Sequence, residues 1–183
     1  LGSFLFQRIH KAGKDDRFDK IKPDFMRYWN HWTLQALWAV LTAAPAWIAI
    51  TAIERKELGI LGMIGVALWV IGFLIEVIAD GQKTQFRKDP ANKERFIQSG
   101  LWSKSRHPNY FGEIVLWLGI TLVAIPVLQG WQWIALISPV FVTLLLTRVS
   151  GIPMVEAKAE KKWGEEEAYQ NYKKNTPVLI PKL

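Results

Sequence analysis

The stretch that decides the fold is residues 114–147, IVLWLGITLVAIPVLQGWQWIALISPVFVTLLLT, a run of 34 residues without a charged side chain. As a single helix rising about 1.5 Å per residue it would be about 51 Å long, whereas a bilayer core is about 30 Å thick. The run must therefore fold back on itself. Its polar, glycine-containing interruption at residues 129–133 predicts a tight hairpin between two short spans, with Pro126 and Pro139 inside them.

Two further apolar blocks precede this run, at residues 33–53 and 58–79. Each is long enough to cross a bilayer core, which takes about 20 residues of helix. Hydrophobic residues make up 50% of the chain and aromatic residues 13%, with 10 Trp. We therefore predict an all-α, multi-pass transmembrane helical bundle with four spans, forming a single membrane domain over residues 1–183. The composition argues against a disordered chain, a collagen or a soluble enzyme.

Basic residues alternate between the connectors of these spans. Seven Lys and Arg lie in residues 1–32, two in residues 54–57, seven in residues 80–109, none in residues 129–133 and seven in residues 148–183. The positive-inside rule assigns the three rich connectors to the cytoplasm, as in a protein of the bacterial inner membrane. This distribution explains the net charge of +7 without nucleic acid, which we do not expect as a partner.

Several kinds of site are excluded by what the sequence lacks. The chain has no Cys, so disulfides, thiolate catalysis and Cys-based metal clusters are ruled out. Its three His residues lie far apart, and we predict no metal site. Neither of the two common glycine-rich phosphate loops occurs, so no glycine loop at a helix N-terminus is available to cradle phosphate.

The beginning of the chain resembles the end of a further span. Residues 1–9 (LGSFLFQRI) read as the last turns of another apolar helix. No charged segment precedes them and no small-residue cleavage site follows, so we interpret them as what remains of a missing N-terminal portion rather than as a signal peptide.

The connector after the second span carries side chains suited to an anionic ligand. Asp80, Lys83 and Arg87 are spaced i, i+3 and i+7, which places them on one face of a helix that continues beyond the membrane. Residues 105–113 (SRHPNYFGE) then lead directly into the third span. Together these segments predict a basic, hydrogen-bonding mouth at the membrane surface. Lipid-headgroup anchoring by Lys and Arg is the alternative.

Two carboxylates enter the predicted spans. Glu113 stands at the start of the third span, and Glu76 lies near the cytoplasmic end of the second. Ionisable groups at that depth are costly and usually face a cavity or a partner. Both are therefore functional candidates, with snorkelling to the interface as the alternative for Glu76.

These residues resemble the C-terminal domain of the steroid 5-alpha-reductase superfamily, especially its bacterial members. The resemblance rests on Asp80-Gly81-Gln82-Lys83, Phe86-Arg87, Gly100-Leu101-Trp102 and residues 105–113, followed in the tail by Gly151-Ile152-Pro153, Glu156, Tyr169, Tyr172 and Ile180-Pro181. It covers nearly the whole chain. The Arg-His-Pro-x-Tyr-x-Gly portion alone is shared with membrane methyltransferases that act on isoprenylcysteine or phospholipids.

The resemblance implies an oxidoreductase that uses NADPH to saturate a carbon–carbon double bond conjugated to a carbonyl in a steroid- or lipid-like substrate. It implies cofactor-binding roles for Asp80, Lys83, Arg87, Arg106, His107, Asn109, Tyr110 and Glu113, and in the tail for Tyr169, Tyr172 and Lys173. The Glu and Tyr that polarise the substrate carbonyl in steroid reductases would lie on helices N-terminal to this region. We therefore assign no catalytic residue.

The charge of the connector favours the same cofactor. NADPH carries three phosphate groups, and bidentate Arg matches their geometry best. S-adenosylmethionine carries a sulfonium cation and one carboxylate and needs far less positive charge, so an S-adenosylmethionine-dependent membrane methyltransferase is the alternative. A non-catalytic membrane scaffold or lipid-binding protein is a third hypothesis. Membrane lipids are expected partners in each case, and the sequence leaves the oligomeric state open.

Overall fold

The computed structural model describes Phe6, His10, Asp19 and residues 22–54 and 56–182. The regular elements of this part of the chain are helices, which confirms the predicted all-α class. The α-helices are α1 (Phe25–Thr51), α2 (Gly59–Lys88), α3 (Pro108–Ala124), α4 (Ile137–Leu144), α5 (Ile152–Trp163) and α6 (Glu167–Asn175). Short 3₁₀ helices lie at Pro90–Asn92, Gly100–Ser103, Ile125–Val127 and Gly130–Leu136, and a π-helical turn at Leu145–Val149.

Among the described residues, four helical stretches are long and apolar enough to cross a membrane, as predicted. They are Phe25–Thr51, Gly59–Lys88, Pro108–Val127 and Gly130–Trp163. The protein is thus an integral membrane protein with a multi-pass helical bundle. Helix α2 continues past the apolar block to Lys88, which confirms that the second span extends as a helix into the charged connector.

The hairpin in the uncharged run is tighter than predicted. The chain breaks at Leu128 and Gln129, whose backbone is extended, and helix resumes at Gly130 rather than after residue 133. Gly130 has a φ of +50°, which glycine adopts at little cost. The side-chain oxygen of Gln132 accepts from the backbone N–H of Gln129 at 2.9 Å, and this capping box starts the new helix directly after the turn.

Helices α2 and α3 pack antiparallel through four glycines, which we call the glycine seam: Gly65, Gly72, Gly112 and Gly119. A Cβ added to Gly72 would lie 2.5 Å from the carbonyl oxygen of Gly112, and one added to Gly65 would lie 2.7 Å from that of Gly119. The two backbones therefore touch, because no side chain separates them. Close approach through small residues is the usual way in which helices associate within a membrane.

The chain forms two compact units, Leu1–Val40 and Leu41–Leu183. In the first, the large side chains of Phe25, Trp29 and Trp32 are exposed. The predicted helix end at residues 1–9 lies outside the described residues, apart from Phe6. The prediction of a single membrane domain stays a prediction.

Candidate functional site

The C-terminal residues of the second unit form hydrogen bonds with the connector between α2 and α3. Residues 177–182, which we call the C-terminal strap, run beside this connector. The backbone N–H of Arg106 donates to the carbonyl of Pro177 at 2.9 Å. The fully buried hydroxyl of Ser105 donates to the carbonyl of Leu179 at 2.8 Å. Together these bonds fix the start of α3 against the end of the chain.

Trp102 joins three segments around one buried ring, which is only 4% exposed. Its indole N–H donates to the carbonyl of Ala79 in α2 at 2.9 Å. Its own carbonyl accepts from the hydroxyl of Tyr172 in α6 at 2.7 Å. The ammonium group of Lys83 lies 4.5 Å from the centre of the ring, within the range of a cation–π contact. The connector therefore cannot move without α2 and α6.

The glycine before this tryptophan has a conformational reason. Gly100 has a φ of +61°, and a Cβ there would lie 2.5 Å from the side-chain amide of Gln82. The Gln82 side-chain oxygen accepts from the backbone N–H of Leu101 at 2.9 Å. The Gly-Leu-Trp string and Gln82 of the family pattern thus shape the turn that presents Trp102.

A cavity of about 620 Å³ opens between the end of α2, the connector, α5 and α6. Among the described residues that line it, seven are basic and one, Glu156, is acidic; the basic ones are Lys83, Arg87, Lys93, Arg95, Arg106, Lys158 and Lys162. The rest of the wall is largely aromatic and aliphatic. The cavity therefore offers an excess of positive charge beside apolar rings.

Aromatic rings form one wall of the cavity, centred on Phe96. Its ring centre lies 5.2 Å from that of Tyr169, 5.4 Å from that of Tyr172 and 5.8 Å from that of Trp163. Burial raises the pKa of both tyrosine hydroxyls, so both stay neutral donors at physiological pH. The indole N–H of Trp163 donates to the carbonyl of Glu94 at 2.6 Å and fixes that ring in place.

Glu156 binds two neighbouring residues of the connector at once. One carboxylate oxygen accepts from a terminal nitrogen of Arg106 at 2.7 Å, and the other lies 2.8 Å from Nε2 of His107. The His107 side chain is 5% exposed, and its ring stacks on that of Tyr110 with the ring centres 5.5 Å apart. The Nε atom of Arg106 is buried and has no hydrogen-bond partner within the described part of the chain.

The basic residues of the cavity differ in how they are compensated. Lys162 pairs with Glu94 at 2.9 Å, and Arg106 pairs with Glu156. The other five have no acidic group within 4.0 Å among the residues that the structure describes: Lys83, Arg87, Lys93, Arg95 and Lys158. Their charge is therefore available to an anionic ligand.

The structure brings six of the eleven predicted cofactor residues to this cavity: Lys83, Arg87, Arg106, His107, Tyr169 and Tyr172. The other five do not line it. The amide of Asn109 donates to Asp80 at 3.2 Å and so links α3 to α2. Lys173 pairs with Glu160 at 2.6 Å, Tyr110 lies behind His107, and Glu113 lies a turn further into α3.

Several lining residues were not predicted as part of a site, among them Phe96, Glu156 and Trp163. Glu156 belongs to the family pattern, but no role had been assigned to it. A signal was present in α5, where the lining residues are Val155, Glu156, Lys158, Ala159, Lys162 and Trp163. Most of these recur at helical spacing and mark one face of the helix. Nothing local in the sequence marks Phe96.

Comparison with known proteins gives the chain a family and named relatives. The family described as "Protein of unknown function (DUF1295)" matches residues 1–176. The chain is 31% identical over 119 residues to 3-oxo-5-alpha-steroid 4-dehydrogenase 1 of Bos taurus, covering 65% of this chain and 41% of that protein. It is 31% identical over 142 residues to Delta(14)-sterol reductase ERG24 of Saccharomyces cerevisiae, covering 70% of this chain and 30% of that protein.

A plant relative matches over a similar share of the chain at lower identity. Steroid 5-alpha-reductase DET2 of Gossypium hirsutum is 27% identical over 117 residues, which cover 64% of this chain and 40% of that protein. The chain spans about two fifths of the length of the steroid reductases that it matches. No solved structure matches it.

Proposed function

Because the chain belongs to the DUF1295 family, within the steroid 5-alpha-reductase superfamily, we propose that its basic cavity binds NADPH as the cofactor site of a membrane reductase. The proposed reaction saturates a carbon–carbon double bond conjugated to a carbonyl in a steroid- or other lipid-like substrate. NADPH supplies the hydride, and the protein contributes placement and electrostatics. The observation that carries the proposal is the cavity itself, in which the described lining residues include seven bases and one acid beside an aromatic wall.

The residues of the cavity fit this cofactor in size and in charge. Its volume of about 620 Å³ lies within the range of roughly 300–1,000 Å³ that is usual for ligand sites. Arg87, Arg95 and Lys158 supply uncompensated positive charge for the phosphate groups. The buried, unpartnered Nε of Arg106 offers a further donor, and a buried donor of this kind is costly unless a ligand satisfies it.

The aromatic wall suits the rings of a dinucleotide. Phe96, Tyr169 and Tyr172 present flat apolar surface next to the cationic groups. Aromatic side chains contact planar ligands through offset or edge arrangements. S-adenosylmethionine, in contrast, carries a positively charged sulfonium that the basic residues of the cavity would repel, and it has only one carboxylate for them to bind. The charge distribution therefore favours NADPH over the methyltransferase alternative.

We place this cavity at the cytoplasmic face of the bacterial inner membrane. It lies where α2 leaves its apolar block, among the two connectors that are rich in Lys and Arg. Asn109, Tyr110 and Glu113 follow His107 into the third span, and we propose that they contact the nicotinamide end of the cofactor. A lipid-like substrate would approach that end from within the bilayer. We assign cofactor binding, and no catalytic residue, to the described part of the chain.

The proposal is tested with purified full-length protein and two measurements. The first is a thermal-shift series with NADPH, NADH and S-adenosylmethionine, in which NADPH should stabilise most by mass action. The second follows absorbance of the reduced nicotinamide with a panel of enone lipids. Stabilisation by NADPH together with its consumption supports the proposal. Stabilisation by S-adenosylmethionine alone, with methyl transfer to a lipid or thiol acceptor, overturns it in favour of the methyltransferase.

A further inference from the structure

Glu156 is the one acidic residue among the described residues that line the cavity, and it is bonded to two residues proposed to bind cofactor. A carboxylate placed in an anion-binding cavity opposes the charge of the ligand. Its presence there therefore calls for an explanation other than direct contact with phosphate.

The bond to Arg106 uses one end of the guanidinium. A terminal nitrogen donates to Glu156 at 2.7 Å, and the Arg106 side chain is only 12% exposed. The guanidinium is a planar fork, so fixing one nitrogen orients the others. The unpartnered Nε is thereby held in the wall of the cavity.

The bond to His107 decides which ring nitrogen carries a proton. An ionised carboxylate only accepts hydrogen bonds, so Nε2 of His107 donates to Glu156 at 2.8 Å. In the neutral ring Nδ1 is then an acceptor. No hydrogen bond reaches Nδ1 from any residue that the structure describes, and the ring lines the cavity. Its stacking on Tyr110 prevents the ring from tilting away.

We infer that Glu156 is a positioning residue: it orients the guanidinium of Arg106 and holds His107 as the Nε2–H tautomer, so that Nδ1 accepts a hydrogen bond from the ligand. The partner of Nδ1 is then a ligand hydroxyl or amide N–H, while the phosphates bind the uncompensated cations. This role rests on the proposed function for the identity of the ligand. The orientation of the two side chains does not depend on it.

The test uses full-length protein in detergent with ¹⁵N-labelled histidine. The chain has three His residues, and His107→Gln assigns the signal of the third. We expect the proton of His107 on Nε2 in the free protein and a change in the Nδ1 signal when NADPH is added. Glu156→Gln should weaken NADPH binding at least about tenfold, the effect of losing a charged hydrogen bond. It should also change the tautomer signal.

Glu160→Gln is the matched control. Glu160 lies one turn further along α5 and pairs with Lys173 at 2.6 Å, and it does not line the cavity. This variant should leave both the His107 signal and the NADPH affinity unchanged. Glu156→Asp keeps the charge and should restore part of the affinity, which a loss of packing alone would not explain.

The outcomes separate this inference from the proposed function. A proton on Nδ1 of His107 in the wild-type protein overturns the inference without any variant. So does an unchanged affinity and tautomer in Glu156→Gln while wild-type protein binds NADPH. If wild-type protein binds no NADPH, the proposed function fails. The tautomer signals of the wild type and of Glu156→Gln then decide the inference by themselves.

Discussion

Helices α2 and α3 are held together differently within the membrane spans and at their polar ends. Within the apolar spans, Gly72 and Gly112 bring backbone against backbone, with no side chain between them. At the polar end, Trp102 and the C-terminal strap connect the same helices through side-chain and backbone hydrogen bonds from distant segments. The glycine seam thus sets the distance between the two helices. At the polar end, that distance determines where the charged side chains lie around the cavity.

The difference shows which region tolerates change. The glycine seam leaves no space between the two backbones, so any added side chain must push them apart. The cavity instead has several cations of similar type, and removing one leaves the others in place. We therefore expect seam variants to affect folding and cavity variants to affect binding.

The largest effect is expected from Gly72→Leu. Its side chain would collide with the backbone at Gly112 and Leu116, each 2.5 Å from an ideal Cβ. Overpacking a core costs about 1–3 kcal/mol for small additions, and a collision with backbone costs more. We expect little folded protein, measured as the monodisperse fraction in size-exclusion chromatography in detergent. Gly81→Leu is the control, because a Cβ on Gly81 meets nothing within 4 Å; equal yields of both variants would contradict the role of the glycine seam.

An intermediate effect is expected from Arg87→Gln. Arg87 lines the cavity and has no acidic partner among the described residues, so its charge is free for a phosphate. Loss of a charged hydrogen bond is worth about 1.5–3 kcal/mol, or roughly ten- to hundredfold in the dissociation constant for NADPH. Titration of the purified variant measures this. Lys88→Gln removes the same charge from the next residue, which is exposed and outside the cavity wall, and equal weakening by both would refute a specific contact.

The smallest effect is expected from Tyr172→Phe, which removes the bond from the Tyr172 hydroxyl to the carbonyl of Trp102. One neutral hydrogen bond contributes about 1 kcal/mol to stability, so the melting temperature should fall slightly at neutral pH. Burial raises the pKa of Tyr172 above its ordinary value of 10.0. The folded state therefore keeps a proton that the unfolded state loses above that pH.

The wild type should accordingly lose stability above about pH 10 more steeply than the variant, since only the wild type carries this ionisable group. Thermal unfolding of both proteins from neutral pH to pH 11 measures the gap between them. A gap that stays constant or widens above pH 10 would show that the hydroxyl is not held neutral by the fold.

The membrane part of this architecture could be predicted from local sequence, whereas much of the cavity could not. Span number follows from the length of apolar runs, and even the hairpin was placed to within a few residues. The contact between Phe96 and Tyr169 depends on where the tail returns, which no periodic pattern near Phe96 reveals. The family pattern supplied Arg106 and His107, yet the acid that binds both was recognised as part of the site only from the fold.

The contact between Asp80 and Asn109 was likewise not predictable from the local sequence. The family resemblance implied cofactor contacts for both, and these stay a prediction; the hydrogen bond between them, which joins α2 to α3, was not predicted. Helical spacing correctly placed Asp80, Lys83 and Arg87 on one extended helix. It could not say which of them would turn towards α3 and which towards α5.

Because the C-terminal strap is synthesised last, the wall of the cavity that it holds is completed late in biosynthesis. Ser105 is synthesised 74 residues before Leu179, to which its hydroxyl is bonded in the folded protein. During that interval the first three candidate spans can enter the bilayer while Arg106 still lacks the carbonyl of Pro177. A chain that stalls, or is cleaved, before residue 177 is therefore already inserted in the membrane but lacks the C-terminal strap that fixes the wall of the cavity. Quality control that senses only insertion would pass it.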